Sequence, residues 1–185
     1  SLVVDPADLF GPDSGLYAHP EEKGRDWERR ASVEFLPADG RPAFSRDCGL
    51  RIHGRWGRRP EESPKHAFRL LFAKGNRPRA DDVFPGGRDK TELTTLILRS
   101  GNNNTFLHPS PDERRRAEYL RDQWARETHA AMGHPAARGV FVHLYLNGLY
   151  WGLYNLTERP DAAFAAAAWG GKKGDYDSRR ADKVI

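Results

Sequence analysis

The sequence has little sulfur and no long apolar run. Its 185 residues include one cysteine and one methionine. A single thiol, Cys48, cannot form an internal disulfide bond or supply a cysteine-based zinc site. No run of about 18 apolar residues is present, so the sequence predicts no membrane-spanning helix. The Walker A pattern is also missing, which excludes a P-loop nucleotide site.

Charged residues are abundant and of mixed sign. The 30 Lys and Arg residues outnumber 26 Asp and Glu residues, for a formal net charge of +4 and a pI of about 9.3. A mildly basic surface suits anionic partners such as nucleotides, although mixed charge is also typical of an ordinary solvated surface. Nucleic-acid binding would rest on charge and aromatic residues alone, and we do not expect it. With 38% hydrophobic residues, the chain can bury one modest core, which predicts one domain or one lobe of a larger one.

The strongest local pattern is a hairpin over residues 139–158. Asn147 and Gly148 supply the two positive-φ positions of a type I′ turn. A two-residue turn fixes the register, because opposite residues are counted outward from it. The predicted pairs are Leu146 with Leu149, Leu144 with Trp151, and Val142 with Leu153. These residues share an apolar face and the other face is largely aromatic, so we expect the hairpin at the centre of a sheet.

One long helix is predicted over residues 111–132. Ser110 begins a capping box with Pro111 at the first helical position, and Gly133 ends the helix. The predicted buried stripe of the helix consists of Ala117, Leu120, Trp124 and Ala131. We expect the apolar face of the hairpin to pack on this stripe.

The order of elements predicts an α+β fold, in which an antiparallel sheet packs on the one long helix. Strands are expected before the helix at residues 31–36, 49–53, 66–72 and 93–99. We expect three segments along the chain: an extended N-terminal pad at 1–30, the α+β domain at 31–171 and a flexible charged tail at 172–185.

Two features could carry chemistry. Glu127 falls inside the predicted apolar stripe, where a carboxylate is costly to bury unless it is paired. The candidate partners from the sheet are Lys65, Arg69 and Arg51. Alternatively, Glu127 lies at the edge of the stripe and reaches water. The loop 54–65 contains two glycines and three arginines, and it is either a phosphate-binding loop or an ordinary basic hairpin loop.

A set of short segments is distinctive in its order and spacing. The clearest runs from Val142 to Tyr154. The others are Gly49-Leu-Arg-Ile-His-Gly54, Pro64-Lys65, Phe68-Arg69-Leu70, Leu98-Arg99, Leu120-Arg121-Asp122, Glu158-Arg-Pro-Asp161 and Tyr176-Asp177. Together these segments resemble the CotH (spore coat protein H) kinase family, especially the copies embedded in large secreted bacterial proteins.

This resemblance implies an atypical protein kinase fold, with the sheet and helix as its N-lobe, that uses ATP and Mg to phosphorylate protein serines. Residues 49–72 would form a strand–loop–strand over the nucleotide phosphates, and Lys65 would contact the phosphates. The implied nucleotide-binding residues are Arg51, Gly54, Arg55, Lys65, Arg69 and, at the hinge beside the adenine, Glu158. We assign Lys65 and Glu127 as the catalytic pair. Glu127 enters this assignment from the stripe argument and not from a family motif.

The chain departs from the family pattern near its end. The catalytic and metal-binding aspartates of the family follow the Tyr-Asp segment, whereas this chain ends at Ile185 before reaching them. It therefore resembles the N-terminal portion of such a protein, with the metal ligands outside the chain, and we expect no phosphotransfer by the chain alone. The resemblance implies an extracellular or cell-surface location. The implied partners are a serine-containing protein substrate and the rest of a larger multidomain chain. The alternative is a non-catalytic surface- or carbohydrate-binding module on the same scaffold.

Overall fold

Seven strands of the chain form a closed barrel. The computed structural model describes residues 1–40, 43–84, 90–180 and 183–184. The barrel strands are β1 (Leu2–Val4), β2 (Arg29–Phe35), β3 (Phe44–His53), β4 (Ala67–Leu71), β5 (Thr95–Arg99), β6 (Gly139–Leu146) and β7 (Leu149–Glu158). Their order around the barrel is β1-β2-β3-β4-β5-β7-β6. Neighbouring strands are antiparallel, except that β1 meets β6 in a parallel contact that closes the barrel.

The helices of the described residues are short and lie outside the barrel ladder. They are α1 (Pro6–Phe10), α2 (Ala80–Val83), α3 (Pro111–Arg115), α4 (Arg121–Ala131) and α5 (Ala162–Trp169). None of them is long and apolar enough to cross a membrane. A two-stranded ribbon, β8 (Arg179–Arg180) with β9 (Lys183–Val184), lies in the predicted tail. Residues 181, 182 and 185 of that tail fall outside the described residues.

The predicted fold class is wrong, because the described strands close into a barrel instead of packing as a sheet on one long helix. The predicted helix is two separate helices, α3 and α4. Leu120 and Trp124, from the predicted buried stripe, are 66% and 67% exposed. A closed barrel needs no helix over its inner face, since inward side chains from opposite strands bury one another. The predicted ends are right: Ser110 caps α3, and Gly133 follows α4 with a φ of 85°.

The interruption between α3 and α4 has a tertiary cause. Tyr119 lies in the break, and its hydroxyl is 2.6 Å from the Thr105 hydroxyl. Its ring packs on Phe106 at 5.6 Å between centroids and lies close to the backbone of Gly101. Tyr119 therefore packs on the loop after β5, and this packing interrupts the helix. Local helix propensity alone favours a continuous helix.

Alternating side chains fill the barrel. Six inward residues of the three central strands are at most 3% exposed: Leu50, Ile52, Phe68, Leu70, Leu96 and Leu98. Their spacing of two along each strand follows from the alternation of side chains across a β-sheet. The residues between them therefore point to the outer surface of the barrel.

The β6–β7 hairpin has the predicted turn. Asn147 and Gly148 have φ values of 50° and 83°, as a type I′ turn requires. Leu146 pairs with Leu149, as predicted. Beyond the next pair the register shifts, so the remaining predicted pairs are wrong.

A β-bulge at Gly152 causes this shift. Gly152 has a φ of 112°, and it pairs with Leu144 in place of Trp151. The one-residue insertion reverses which side chains of β7 face inward, so Tyr154 rather than Leu153 enters the core. The residues on either side of Tyr154 along β7 therefore face the outer surface of the barrel.

Polar contacts attach α4 to the barrel. Gln123 is the buried residue of this helix, and its Nε2 donates to the Gly139 carbonyl at 2.9 Å. Its Oε1 accepts from Arg126 Nη2 at 2.7 Å and from Asn155 Nδ2 at 3.1 Å. Gln123 Nε2 also donates to Glu127 Oε1 at 2.6 Å. We call this set of contacts the polar seam.

The first thirty residues supply β1 as well as the predicted pad. Leu2 pairs with Val33 on β2 and with Leu146 on β6, and so closes the barrel. Farther along, the Tyr17 hydroxyl accepts a hydrogen bond from Trp151 Nε1 at 2.9 Å. The segment therefore packs against the barrel at two places.

Candidate functional site: a basic cleft

A cavity of about 820 Å³ lies against the outer face of the barrel. Residues of β3, β4, β5 and β7 form its wall, and the segment after β7 borders it. Its basic lining residues are Lys23, Arg51, Arg55, Arg58, Arg69, Arg99 and Arg159. Five residues of the predicted nucleotide site line the cavity: Arg51, Gly54, Arg55, Arg69 and Glu158. We call this cavity the basic cleft.

Strand pairing places outer-face residues of the cleft in one row. Arg51 pairs with Arg69 across β3 and β4, and Arg69 pairs with Ile97 across β4 and β5. Ile97 then pairs with Thr157 on β7. Like charges directly opposite each other destabilise a sheet. The paired arginines therefore do not serve the stability of the barrel, but they would favour a bound anion.

Arg69 is the central cation of this row. Its Nη2 donates to Nδ1 of His53 at 3.3 Å, and its Nε is buried without a hydrogen-bond partner among the described residues. Burial, together with the neighbouring arginines Arg159, Arg51 and Arg58, lowers the pKa of Arg69 to about 10. The guanidinium is still charged at neutral pH. An anion in the cleft would give it both a counter-charge and the missing acceptor.

His53 orients Arg69 without neutralising it. A guanidinium only donates hydrogen bonds, so Nδ1 of His53 accepts and the proton of the neutral ring lies on Nε2. Burial and then the surrounding arginines, Arg69 first, lower the pKa of His53 to about 3. The ring is therefore neutral at pH 7. The positive charge of Arg69 remains available to a ligand.

Two other arginines of the cleft already have partners. Arg51 donates to Glu28 Oε2 from Nε at 2.8 Å and from Nη2 at 2.5 Å. Arg58 is 7% exposed. Its guanidinium donates to the backbone carbonyls of Pro20, Glu22, Ile52 and Gly54. Arg58 therefore holds the N-terminal segment against the loop 54–65.

Glu158 at the end of β7 is a structural anchor. It is 6% exposed, and its Oε1 and Oε2 accept from Arg138 Nη2 and Nε at 2.6 and 3.0 Å. The backbone N–H of Arg138 also donates to Oε2 at 2.8 Å. The carboxylate is thus satisfied by the residue that precedes β6. The predicted role of Glu158 beside an adenine stays a prediction.

Lys65 lies outside the lining of the basic cleft. Its Nζ donates to the Leu153 carbonyl and lies 4.3 Å from the ring centroid of Tyr154. It would be 3.4 Å from a Cβ added at Gly152, so it occupies the space above the bulge. Burial lowers the pKa of Lys65 to about 8. Lys65 therefore connects the end of the loop 54–65 to the bulge of β7.

The structure does not bring Lys65 and Glu127 together. Glu127 is exposed on α4 and accepts from Gln123. The contacts of Lys65 are with Leu153 and with aromatic rings. The predicted ion pair is therefore not formed in the described part of the chain. The exposed position of Glu127 matches the alternative in which this carboxylate reaches water.

The residues of the cleft that sequence reasoning missed include His53, Arg99 and Arg159. Arg99 forms an ion pair with Asp122 of α4, and Arg159 Nε lies 3.7 Å from Asp161 Oδ2. Alternation along β5 could have placed Arg99 on the face of Ile97. The pairing register between β4 and β5 places that face beside Arg69. No turn pattern in the sequence predicts this register.

The basic cleft is lined by seven Lys and Arg residues and by one carboxylate, Glu158. Within the described residues, no group of three or more His, Cys, Asp or Glu side chains could hold a metal ion. The fold and the site together define a β-barrel domain with a basic cleft on its outer face.

The protein-family model described as CotH kinase protein matches residues 50–181. This match spans more than two thirds of the chain, so the chain belongs to the CotH kinase family. The resemblance noted from the sequence segments is confirmed. No curated protein matches the chain significantly.

Proposed function

We propose that the basic cleft binds the phosphates of ATP, and that the chain is the nucleotide-binding part of a kinase that phosphorylates protein serines. The observation that carries this proposal is the buried Arg69 Nε, which has no acceptor among the described residues and lies in a cleft lined by further arginines. Guanidinium groups match phosphate geometry and form strong charge-assisted hydrogen bonds with it. Membership of the CotH kinase family supports the choice of ATP over other anions.

The cleft has the size and the mixed chemistry of a nucleotide site. Its volume of about 820 Å³ lies within the usual range of about 300–1,000 Å³ for ligand pockets. Arg69 supplies charge at the centre of the wall, and Ile97 with Pro160 supplies apolar surface for a base. Mg would accompany ATP and screen phosphate charge.

Binding of ATP to the whole chain tests this function. We expect Arg69→Gln to weaken ATP binding about tenfold or more, because a charge-assisted hydrogen bond is lost. Isothermal titration with ATP, ADP and adenosine should show the loss for the phosphate-bearing ligands. Arg59→Gln is the matched control, because Arg59 stacks on Trp56 at 4.5 Å and does not line the cleft. Absence of ATP binding by the wild type, or equal affinity in Arg69→Gln, would contradict the proposal.

A carbohydrate-binding module is the second candidate. The hairpin exposes Tyr145 and Tyr150, whose ring centroids are 5.5 Å apart, and His143 Nδ1 lies 3.0 Å from the Tyr150 hydroxyl. Such rings could stack on sugars. Binding of neutral oligosaccharides that is lost in Tyr150→Ala, with no binding of ATP, would favour this candidate. An extracellular or cell-surface location fits both candidates and is part of the proposal.

A further inference from the structure

A strand cation and a helix carboxylate meet at the edge of the basic cleft. Arg99 is the last residue of β5, and Asp122 lies in the first turn of α4. Their side chains form an ion pair between Nη2 and Oδ2. The Arg99 side chain is 47% exposed, and it lines the cleft.

The strand register places Arg99 beside the central cation. Arg69 pairs with Ile97, so Arg99 lies two residues farther along the same face of β5. Arg99 is also among the arginines whose charge lowers the pKa of His53, the partner of Arg69. Arg99 and Arg69 therefore approach one ligand volume from neighbouring strands.

The ion pair contributes little to stability. Both side chains are nearly half exposed, and pairs of this kind are screened by water and salt. A carboxylate that leaves a guanidinium accessible can still fix its direction. In protein kinases, a lysine on a strand is held in this way by a glutamate on a helix and is aimed at the phosphates.

We propose that Arg99 contacts a phosphate of the bound nucleotide and that Asp122 is the positioning residue that aims it. This inference rests on the proposed function. The structure keeps Lys65 and Glu127 apart. The inference therefore assigns the cation–carboxylate pair to Arg99 and Asp122, which are in contact at the edge of the cleft.

The polar seam fixes Asp122 relative to the barrel. Arg126 follows Asp122 by one helical turn, and its Nη2 donates to Asn155 Oδ1 at 2.5 Å. Asn155 in turn pairs with Arg99 across β7 and β5. The backbone of Arg99 and the helix that carries its carboxylate are therefore both tied to the same residue of β7.

Titration of ATP and adenosine against Asp122 variants tests the proposal. We expect Asp122→Asn to weaken ATP binding about fivefold to tenfold, since the amide has lost the charge that orients Arg99. Adenosine affinity should not change. Asp122→Glu should restore most of the ATP affinity, and Arg99→Gln should weaken ATP binding as well. Combining Arg99→Gln with Asp122→Asn should add little to the effect of Arg99→Gln, because the carboxylate acts through the arginine.

Thermal melting and a control variant distinguish an effect on folding from an effect on the orientation of Arg99. Thermal melting should be nearly the same for the wild type and Asp122→Asn. Asp112→Asn is the matched control, because Asp112 pairs with Arg115 on α3 and does not line the cleft. If Arg69→Gln weakens ATP binding while Asp122→Asn and Arg99→Gln do not, the inference fails and the proposed function stands. If the wild type does not bind ATP, both fail.

Discussion

The inner and outer faces of four barrel strands carry different kinds of residue. The inner face of β3, β4, β5 and β7 carries apolar residues such as Phe68, which is fully buried. The outer face carries Arg69 one position away, with a buried nitrogen that has no partner among the described residues. The inner face is organised for stability, whereas the outer face holds like charges that a bound anion would relieve. Neighbouring residues of one strand therefore serve folding and binding separately.

The largest expected effect is on the inner face. We expect Phe68→Ala to lower the free energy of unfolding by about 3–5 kcal/mol, because it leaves a cavity between Tyr17 and Tyr154. Urea unfolding measures this change. On the outer face, Arg69→Gln should change the same quantity by less than about 1 kcal/mol. Equal losses for the two variants would show that the faces are not separable in this way.

Glu158 is the exception on the cleft side, because its charge is paired and buried. We expect Glu158→Gln to lower the free energy of unfolding by about 3 kcal/mol, since it leaves the Arg138 guanidinium without its carboxylate. Glu118→Gln is the control: its pair with Arg121 is exposed and should contribute less than about 1 kcal/mol. If the Glu158→Gln protein is as stable as the control variant, the structural role of Glu158 is contradicted. Glu158 would then be assigned to ligand binding instead.

A smaller effect should appear with acid. The folded state holds the pKa of His53 at about 3, below its ordinary value of 6.5. Between these values the unfolded chain binds a proton that the folded chain does not, so stability falls as the pH is lowered from 6.5 toward 3. Comparing wild type with His53→Asn at pH 7 and pH 4.5 by urea unfolding should show about 1–2 kcal/mol more acid loss in the wild type. His129→Asn, a substitution at an exposed site, is the control variant and should lose as much stability between pH 7 and pH 4.5 as the wild type.

The inner face was predictable from the sequence, and the outer face only in part. Alternation along the predicted strand 66–72 puts Phe68 and Leu70 on one face, and Asn147-Gly148 predicts the hairpin turn. The predicted buried stripe of the helix is wrong, because periodicity indicates which face of a helix is apolar but not which face packs on the rest of the fold. Gln123, rather than Leu120, faces the barrel. Barrel closure depends on pairing between distant strands, which short-range patterns do not encode.

The candidate site shows the same limit. The resemblance to the kinase family implied Arg51, Arg69 and the loop glycine Gly54 as nucleotide-binding residues, and all three line the cleft. Lys65 lies outside the lining of the cleft, beside the Gly152 bulge, and its Nζ donates to the Leu153 carbonyl of β7. The bulge itself has a signal in the sequence, because an isolated glycine within a strand often marks a bulge. The contact of Lys65 with Leu153, which is 88 positions away in the chain, has no such signal.

The polar seam has a thermodynamic consequence. Because α4 is joined to the barrel by hydrogen bonds rather than by apolar contact, its release would expose little new apolar surface. Its heat-capacity change would be small, and its equilibrium would depend on ionic strength more than on temperature. Amide protons of α4 should accordingly exchange with solvent through local opening, well before those of β4 and β5. Salt would then tune the orientation of Asp122 while the barrel stays folded.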